Sequence, residues 1–357
     1  QSAGLSTGLI GTVEQIVGGV RQEGGRTTPE APDLQAQFSA MLEAGDVACA
    51  MEVSSHAMSL HRADAIDWAA VAFTNLSRDH LDFHPSMEDY FEAKRLLIAE
   101  APHRAVVDLD DEYGARLALE FPQALTVSID TVQRDGGLQA TDLRADASGT
   151  RFAVEEIETR VPLPGPFNVR NALTAIGLAV QMGIRLEDAL RWLPDAPVAP
   201  GRMESVDEGQ SFAVYVDYAH TPDALVRVLA AARGLTTGRV LCVFGCGGDR
   251  DRGKRPEMGR AVAEGADVVV ATSDNPRGED PEAILDDILT GIDGPVTRIV
   301  DRREAIAHAL EAAEAGDVVV IAGKGHEQGQ TIAGETFPFD DARVARELLT
   351  SKEGASA

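Results

Sequence analysis

Six apolar segments of the sequence end in clusters of ionisable or polar side chains. The apolar run ADVVVA, residues 266–271, leads into ATSDNPRGED, residues 271–280, which contains an aspartate, an asparagine and an arginine. Side chains of these types can bind carboxylates, ammonium groups and phosphates. One such cluster is compatible with an ordinary polar loop, but six exceed the usual polarity of loops. The members are Ser54, Ser55 and His56; Ser77, Arg78, Asp79 and His80; Asp217, Tyr218 and His220; Asp249 and Arg250; Asp274, Asn275 and Arg277; and Lys324, His326 and Glu327.

Glu52 and two histidines are candidate metal ligands. Glu52 follows the apolar run ACAM, and a buried glutamate is costly unless it is paired or binds a cation. The simpler interpretation is a carboxylate that accepts from nearby amides. His80 and His84 have H-x-x-x-H spacing beside Asp79 and Asp82, which admits a zinc hydrolase. A proline directly after the second histidine disfavours the helix on which this spacing works best.

Lys94 falls on the apolar face of a predicted helix. Ser86 and Asp89 form a capping box that predicts the helix start, and Tyr90 and Leu97 lie one turn before and after the lysine. Either the amine extends to the surface along an apolar stem, or it has a chemical role.

The segment GDRDRGKR, residues 248–255, nearly matches a phosphate-binding loop. Arg255 stands where G-x-x-x-x-G-K-[ST] requires a hydroxyl that binds magnesium. Two aspartates inside the segment would repel phosphate. The sequence therefore contains no phosphate loop.

Composition limits the classes of partner. The 357 residues are enough for two domains, and no apolar run approaches the ~18 residues of a membrane helix. The formal net charge of -26 argues against nucleic acid or an anionic membrane as partner and fits a cytoplasmic protein. Cys242 and Cys246 are four residues apart and could bind a metal, but a strand residue and a loop residue, both reduced thiols, are the simpler interpretation.

The order of the predicted elements indicates two α/β units. Continuous apolar runs at 47–53 and 69–76 predict parallel strands buried on both faces. Residues 138–163 alternate and predict an antiparallel meander, and the proline-rich segment 193–201 predicts a linker. A strand–helix rhythm then restarts and predicts a doubly wound sheet. Ligands of such sheets bind beyond the carboxyl ends of the strands, where the six clusters stand.

Taken together, these segments resemble the Mur ligases, and most closely the members that add diaminopimelate. The resemblance rests on the ordered occurrence of TTPEAPDL, AMEVSSH, FTNLSRDHLDFH, AKRLL, GPFNVRNALTA, GRMES, VDYAHTPDAL, VFGCGGDRDRGKRPEMG, SDNPR and AGKGHE. It implies a central ATPase-type domain with a parallel sheet and a small antiparallel sheet at 1–199, and a Rossmann-like amino-acid-binding domain at 200–357. It also implies that a UDP-binding domain and a G-x-x-G-K-T loop precede Gln1 in a longer chain.

The resemblance further implies an ATP-dependent ligase that acts through an acyl phosphate. Its substrates would be UDP-MurNAc-L-Ala-D-Glu, meso-diaminopimelate and ATP, with Mg²⁺ as cofactor and CO₂ to carbamylate Lys94. The protein would be a cytoplasmic, bacterial monomer. The implied residues are Glu52, His80 and Lys94 for metal and catalysis; Thr27, Thr28, Ser54 and Arg62 for the UDP-muramoyl peptide; Asn168, Asn171, Arg202 and Asp217 for ATP; and Arg250, Asp274, Asn275, Pro276, Arg277, Gly323 and Glu327 for diaminopimelate.

The resemblance implies a binding role for the cluster of Asp274, Asn275 and Arg277. A guanidinium at residue 277 can bind the distal carboxylate of diaminopimelate with two parallel hydrogen bonds. Without the resemblance, SDNPR predicts a strand-to-helix turn with an exposed arginine. Alternatives are an inactive fragment or binding module that holds diaminopimelate but releases no phosphate, and a hydrolase that needs neither ATP nor an amine. A folylpolyglutamate synthetase would leave the DNPR segment without a purpose.

Overall fold

The protein, studied as a computed structural model, is described at residues 2–133 and 136–353. Within these residues the strands form three sheets and one separate hairpin. In the N-terminal sheet the order is β3-β2-β1-β4, with an antiparallel β1–β2–β3 meander and β4 parallel to β1. The elements are β1 (Thr7–Ile10), β2 (Glu14–Val17), β3 (Val20–Glu23), α1 (Ala31–Ala44), β4 (Ala48–Met51) and α2 (Ser55–Ser59).

The second sheet combines parallel and antiparallel strands in the order β10-β9-β8-β7-β6-β5. Strands β5 to β8 are parallel, and the predicted meander β8–β9–β10 continues the same sheet. The elements are β5 (Val71–Phe73), α3 (Met87–Glu100), β6 (Ala105–Asp108), α4 (Glu112–Glu120), β7 (Leu125–Ser128), β8 (Leu138–Asp146), β9 (Gly149–Val154), β10 (Ile157–Val161), α5 (Pro166–Gln181) and α6 (Leu186–Trp192).

The C-terminal sheet has the order β11-β12-β16-β13-β14-β15 and is parallel except at β11. A hairpin, β17–β18, follows its last strand. The elements are β11 (Glu204–Ser205), β12 (Ala213–Asp217), α7 (Pro222–Gly234), β13 (Val240–Phe244), α8 (Lys254–Gly265), β14 (Val268–Ala271), α9 (Pro281–Leu289), β15 (Thr297–Arg298), α10 (Arg302–Ala312), β16 (Val318–Ala322), β17 (Gly329–Ile332), β18 (Glu335–Pro338) and α11 (Asp341–Glu353).

Alternating residues of the C-terminal strands supply two separate cores. Along β13, Cys242 and Phe244 pack against α7, α8 and α9, whereas Leu241 and Val243 pack against α10 and α11. Side chains that point to opposite faces of a strand explain this division. Because both faces are covered by helices, the sheet is doubly wound, and the predicted Rossmann-like fold is confirmed.

The prediction of a strand buried on both faces is wrong for β4. None of its four residues is fully buried, and Ala50 is exposed. The reason is its position: β4 is the edge strand of the N-terminal sheet and has β1 as its hydrogen-bonded neighbour. The meander β1–β3 and the hairpin β17–β18 also escaped the sequence-based description.

None of the helices among the described residues combines the length and the apolar character that a membrane span requires.

Candidate functional site

The four residues predicted to contact the UDP-muramoyl peptide lie together around the carboxyl end of β4. The buried hydroxyl of Thr28 donates to the carbonyl of Glu52 (2.9 Å) and accepts from the amide of Ser54 (3.0 Å). Arg62 donates to the carbonyl of Thr28 (3.2 Å), and Thr27 shares a hydrogen bond with Thr12 (2.9 Å). The cluster is therefore assembled by its own hydrogen bonds.

Ser54 also begins the next helix. Its hydroxyl caps α2 by accepting from the amide of Ala57 (3.2 Å), which stabilises the first turn. The guanidinium of Arg62 lies 3.0 Å from a carboxylate oxygen of Glu30, while its Nε is buried without a partner among the described residues. This arginine is held in place and keeps donor capacity.

Glu52 is exposed, which corrects the expectation of a buried glutamate. Strand β4 ends at Met51, so the glutamate lies just beyond an edge strand and faces outward. Its carboxylate accepts from the hydroxyl (2.7 Å) and the amide (3.3 Å) of Thr12. The simpler interpretation, a carboxylate satisfied by a neighbouring amide, therefore holds for the side chain as it stands.

Lys94 does not extend into solvent. On α3 its amine lies 5.2 Å from the ring centre of Tyr90 and 5.8 Å from that of Phe73, and it donates to the carbonyl of Asn75 (3.2 Å). Burial lowers the pKa of the amine to about 8, although the carboxylates of Asp111 and Asp79 act in the opposite direction. Near neutral pH, the neutral amine is therefore much more abundant at Lys94 than in an exposed lysine.

Asp79 connects His80 to the C-terminal sheet. One carboxylate oxygen lies 3.8 Å from Nε2 of His80 and 3.6 Å from Nε2 of His220, and the other lies 3.4 Å from the amine of Lys254. Burial would raise the pKa of Asp79, but the contact with His220 and the positive charge of Lys254 hold it well below its ordinary value. Burial lowers the pKa of His80, which keeps its ring neutral.

His84 does not share a metal site with His80. Its Nε2 lies 2.9 Å from the hydroxyl of Ser55, and its ring stacks on Tyr90 with 4.9 Å between ring centres. Within residues 2–133 and 136–353, no group of three or more His, Cys, Asp or Glu could hold a metal ion by itself. The spacing that suggested a zinc hydrolase instead gives a packed structural histidine.

The four residues predicted to bind ATP lie on two elements. On α5, Asn168 is buried and donates to the carbonyl of Pro164 (2.8 Å), whereas Asn171 is exposed. The carboxylate of Asp217 accepts from the amides of Met203 and Ala219, at 2.8 Å each. Burial raises the pKa of Asp217.

Arg202 stacks on an aromatic ring at the end of β12. Its guanidinium carbon lies 4.7 Å from the ring centre of Tyr218, and the ring of His326 lies 5.0 Å from the same tyrosine. Among the described residues Arg202 has no ion-pair partner, so its charge is free to meet a ligand.

The segment 274–277 forms a rigid loop beyond β14. Asn275 accepts from the amine of Lys324 (3.1 Å) and the amide of Thr331 (3.0 Å), and it donates to Glu327 (2.8 Å). Asp274 is buried, and its Oδ1 lies 3.7 Å from the amine of Lys324. This oxygen has no hydrogen-bond partner among the described residues. Most of this loop is thus fixed by side chains that follow β16.

Arg277 has a left-handed backbone, with φ of 52°. Its amide donates to the carbonyl of Thr331 (2.9 Å), and its carbonyl accepts from the amide of Ala333 (2.7 Å). The half-buried guanidinium donates to the carbonyl of Gly248 (2.7 Å) and has no ion-pair partner among the residues described. A strained backbone that holds an unpaired cation is typical of a ligand site.

Two glycines allow the strand ends to approach one another. Gly323 has φ of 120°, and a Cβ there would lie 3.1 Å from Oδ2 of Asp274. A Cβ on Gly248 would lie 2.0 Å from the carbonyl oxygen of Pro276. Arg250 is exposed beside them and donates to the carbonyl of Asp249 (3.0 Å). The structure therefore brings all seven residues predicted for diaminopimelate to the ends of β13, β14 and β16.

The near-match to a phosphate loop is structural. Arg255 is fully buried and binds the carboxylates of Glu279 and Asp287, and Lys254 faces Asp79. Nothing in this segment resembles a cradle of backbone amides around an anion.

Two site-forming residues, and the burial of a third, had no signal in the sequence. Thr12 lies in the first meander and reaches Glu52, and Gln330 donates to the carbonyl of Asp274 (2.7 Å) from the hairpin. Lys324 was noted after its strand, but its complete burial was not. Only the sheet order brings these residues to the site.

Comparison with known families agrees with this geometry. The Mur ligase middle domain matches residues 1–179, and the domain described as Mur ligase, glutamate ligase domain, matches residues 201–325. Together the two matches cover every residue predicted for the site except Glu327.

Curated relatives are similar along almost the whole chain. UDP-N-acetylmuramoyl-L-alanyl-D-glutamate–2,6-diaminopimelate ligase of Streptomyces coelicolor is 49% identical, covering 98% of this chain and 72% of the relative. The enzyme of the same name from Gloeobacter violaceus is 47% identical, covering 97% and 72%. A solved structure with that name is 36% identical, with a TM-score of 0.64 over 99% of this chain and 74% of the other.

Folylpolyglutamate synthase of Mycobacterium tuberculosis shares the fold, at 19% identity and a TM-score of 0.66, over 90% of this chain and 83% of the other.

The matches to both Mur ligase domains and to the named ligases place the chain in the class of ATP-dependent, amide-forming ligases. Within that class, the chain belongs to the Mur ligase family.

Proposed function

We propose that this ligase joins meso-2,6-diaminopimelate to UDP-N-acetylmuramoyl-L-alanyl-D-glutamate during peptidoglycan precursor synthesis in the bacterial cytoplasm. The terminal phosphoryl group of ATP would pass to a carboxylate oxygen of the D-glutamyl residue and release ADP. The amine of diaminopimelate would then attack the acyl carbon, form the C–N bond and release phosphate and a proton. The named relatives support this substrate pair.

The observation that carries the proposal is the unpaired guanidinium of Arg277. The chain has 58 acids and 32 bases, yet among the described residues no acid pairs with this half-buried arginine. Within the described part of the chain, its guanidinium makes one hydrogen bond, to the carbonyl of Gly248, which leaves donors for a carboxylate. Nearby, Asp274 and Glu327 can accept from the ammonium group of the same ligand.

Magnesium fits the residues on the N-terminal side of the site. Mg²⁺ is commonly held by one or two carboxylates together with substrate phosphates, so a three-ligand protein cluster is unnecessary. We assign Glu52 to one magnesium site and His80 to the other. Glu52 presents an exposed carboxylate, and burial lowers the pKa of His80, which favours its neutral imidazole. When bound, the metal supplies positive charge to the transferring phosphoryl group.

Lys94 is the proposed site of carbamylation. A neutral amine can attack the carbon of CO₂, forming an N–C bond and losing a proton, and the lowered pKa of Lys94 favours that neutral form. The product carries a carboxylate, which is a hard oxygen ligand. Thr27, Thr28, Ser54 and Arg62 would hold the UDP-muramoyl peptide, and Asn168, Asn171, Arg202 and Asp217 would contact ATP.

The test is substrate discrimination by Arg277→Ala, in the protein encoded by the complete reading frame. We expect kcat/KM for meso-diaminopimelate to fall by about 10²-fold or more, on the order of 3 kcal/mol. The ratio of meso-diaminopimelate to L-lysine use should collapse, since lysine lacks the distal carboxylate.

Arg303→Ala is the matched control, because this arginine on α10 forms an exposed ion pair with Glu347 on α11. It should leave both rates unchanged. If Arg277→Ala uses diaminopimelate at the wild-type rate, the assignment of the pocket is wrong. The monomeric state, the domain boundary at 199/200 and the lack of nucleic-acid or membrane partners stay predictions.

A further inference from the structure

The loop that presents Arg277 is held by the hairpin β17–β18. Two main-chain hydrogen bonds link Arg277 to Thr331 (2.9 Å) and Ala333 (2.7 Å), and the amide of Thr331 donates to Asn275 (3.0 Å). A fourth bond comes from a side chain: Gln330 donates from Nε2 to the main-chain carbonyl of Asp274 (2.7 Å). The hairpin therefore supports the loop along its whole length.

Gln330 is suited to fixing the loop. Gln330 is only 8% exposed, whereas its neighbours on β17 are half-buried at Thr331 and exposed at Ile332. The carbonyl that it binds belongs to Asp274, three residues after β14 ends at Ala271. Without this donor, a buried carbonyl would lose its partner. The left-handed backbone at Arg277 needs such support, because a non-glycine residue persists there only when its surroundings fix it.

We propose that Gln330 is a positioning residue for the amino-acid pocket, acting through the Asp274 carbonyl to fix the loop that aims Arg277 at the ligand. It makes no contact with the reacting atoms. The proposal rests on the proposed function for the identity of the ligand. Selectivity for a substrate with a distal carboxylate then depends on the hairpin β17–β18, which is not part of the C-terminal sheet.

The test combines hydrogen exchange with kinetics in Gln330→Leu, which keeps the side-chain size and removes the donor. We expect amides in segment 274–278 to exchange at least tenfold faster than in the wild type. The KM for meso-diaminopimelate should rise about tenfold or more, while the KM values for ATP and the UDP-muramoyl peptide stay the same. The preference for diaminopimelate over L-lysine should fall accordingly.

Thr336→Val is the matched control on the same hairpin. It removes only the exposed hydrogen bond between Thr331 and Thr336 (3.0 Å) and should leave exchange and all three KM values unchanged. If Gln330→Leu does not fold, Gln330→Ala replaces it.

Unchanged exchange in segment 274–278 would overturn the proposal. So would a general loss of protection with equal effects on all three KM values, because that indicates a purely structural residue. If the wild-type protein does not use diaminopimelate, the proposed function fails, and the exchange measurement alone decides whether Gln330 positions the loop.

Discussion

The amine of Lys254, the first residue of α8, lies 3.4 Å from the carboxylate of Asp79, which follows β5 in the second sheet. Arg78 reinforces this contact by pairing with Asp251 (3.2 Å) and Glu257 (2.8 Å). The loop that carries His80 is therefore tied to the loop that carries Arg250. These ion pairs therefore position the part of the site on the second sheet relative to the part on the C-terminal sheet.

Replacing Lys254 with methionine should destabilise the protein by about 2–3 kcal/mol at neutral pH, because it leaves a mostly buried carboxylate with fewer partners. The folded pKa of Asp79 lies below its unfolded value of about 3.8, so the stabilisation is present above that pH and is lost as the pH falls further. Urea unfolding at pH 7 and at pH 2.5 should show that the stability difference between the two proteins shrinks at the lower pH. A stability difference that does not change with pH would show that Asp79 is not the carboxylate stabilised by Lys254.

Replacing Lys94 with methionine should stabilise the protein by about 1–3 kcal/mol at pH 7 in CO₂-free buffer. Burial lowers the folded pKa of Lys94 to about 8 from 10.5, so wild-type stability is reduced below pH 8 and recovers as the pH rises towards 10.5. The gap between the two proteins should therefore narrow over that range. The Lys94→Met protein should also lose any ¹³C carbamate signal that the wild type acquires from labelled CO₂. A wild-type protein without that signal would remove the modification from the proposal.

Replacing Arg302 with methionine should cost about 3–5 kcal/mol, since it leaves the fully buried Asp341 without its cation. The same guanidinium donates to the carbonyl of Ala322 at the end of β16, so the pocket should loosen as well. The double variant Arg302→Met/Asp341→Leu should recover much of the lost stability. Unfolding of both variants in guanidinium chloride measures these changes in stability. If the single and the double variant lose equal stability, the effect comes from packing rather than from the unpaired charge.

Replacing Thr28 with valine should cost about 2 kcal/mol, because the buried hydroxyl both donates to Glu52 and accepts from Ser54. The KM for the UDP-muramoyl peptide should rise while that for diaminopimelate stays constant. Thr141→Val, at an exposed position of β8, is the control. If both KM values change, the substitution does not act specifically on the binding of the UDP-muramoyl peptide.

Much of the fold follows from local patterns. Buried strands such as β13 and β16 consist entirely of apolar residues, and Ser86 caps α3 as its spacing with Asp89 predicts. Strand β4 was predicted incorrectly because an edge position depends on sheet order, which no local pattern records. The same limitation hid the exposure of Glu52.

The site was predictable where a polar cluster directly follows a strand, as at Arg277, since parallel strands bring such clusters to one edge. It was not predictable where a distant segment reaches in. Gln330 and Thr12 contact Asp274 and Glu52 from elements 56 and 40 residues away along the chain. The burial of Lys324 likewise depends on packing between strand ends.

The most direct test is phosphate release by the protein encoded by the complete reading frame, with ATP, UDP-MurNAc-L-Ala-D-Glu and meso-diaminopimelate supplied singly, in pairs and together. We predict sustained release only when all three are present, with an equimolar tripeptide product by mass spectrometry. Release that needs neither ATP nor the amine, or tight diaminopimelate binding without any release, would contradict a diaminopimelate-adding ligase.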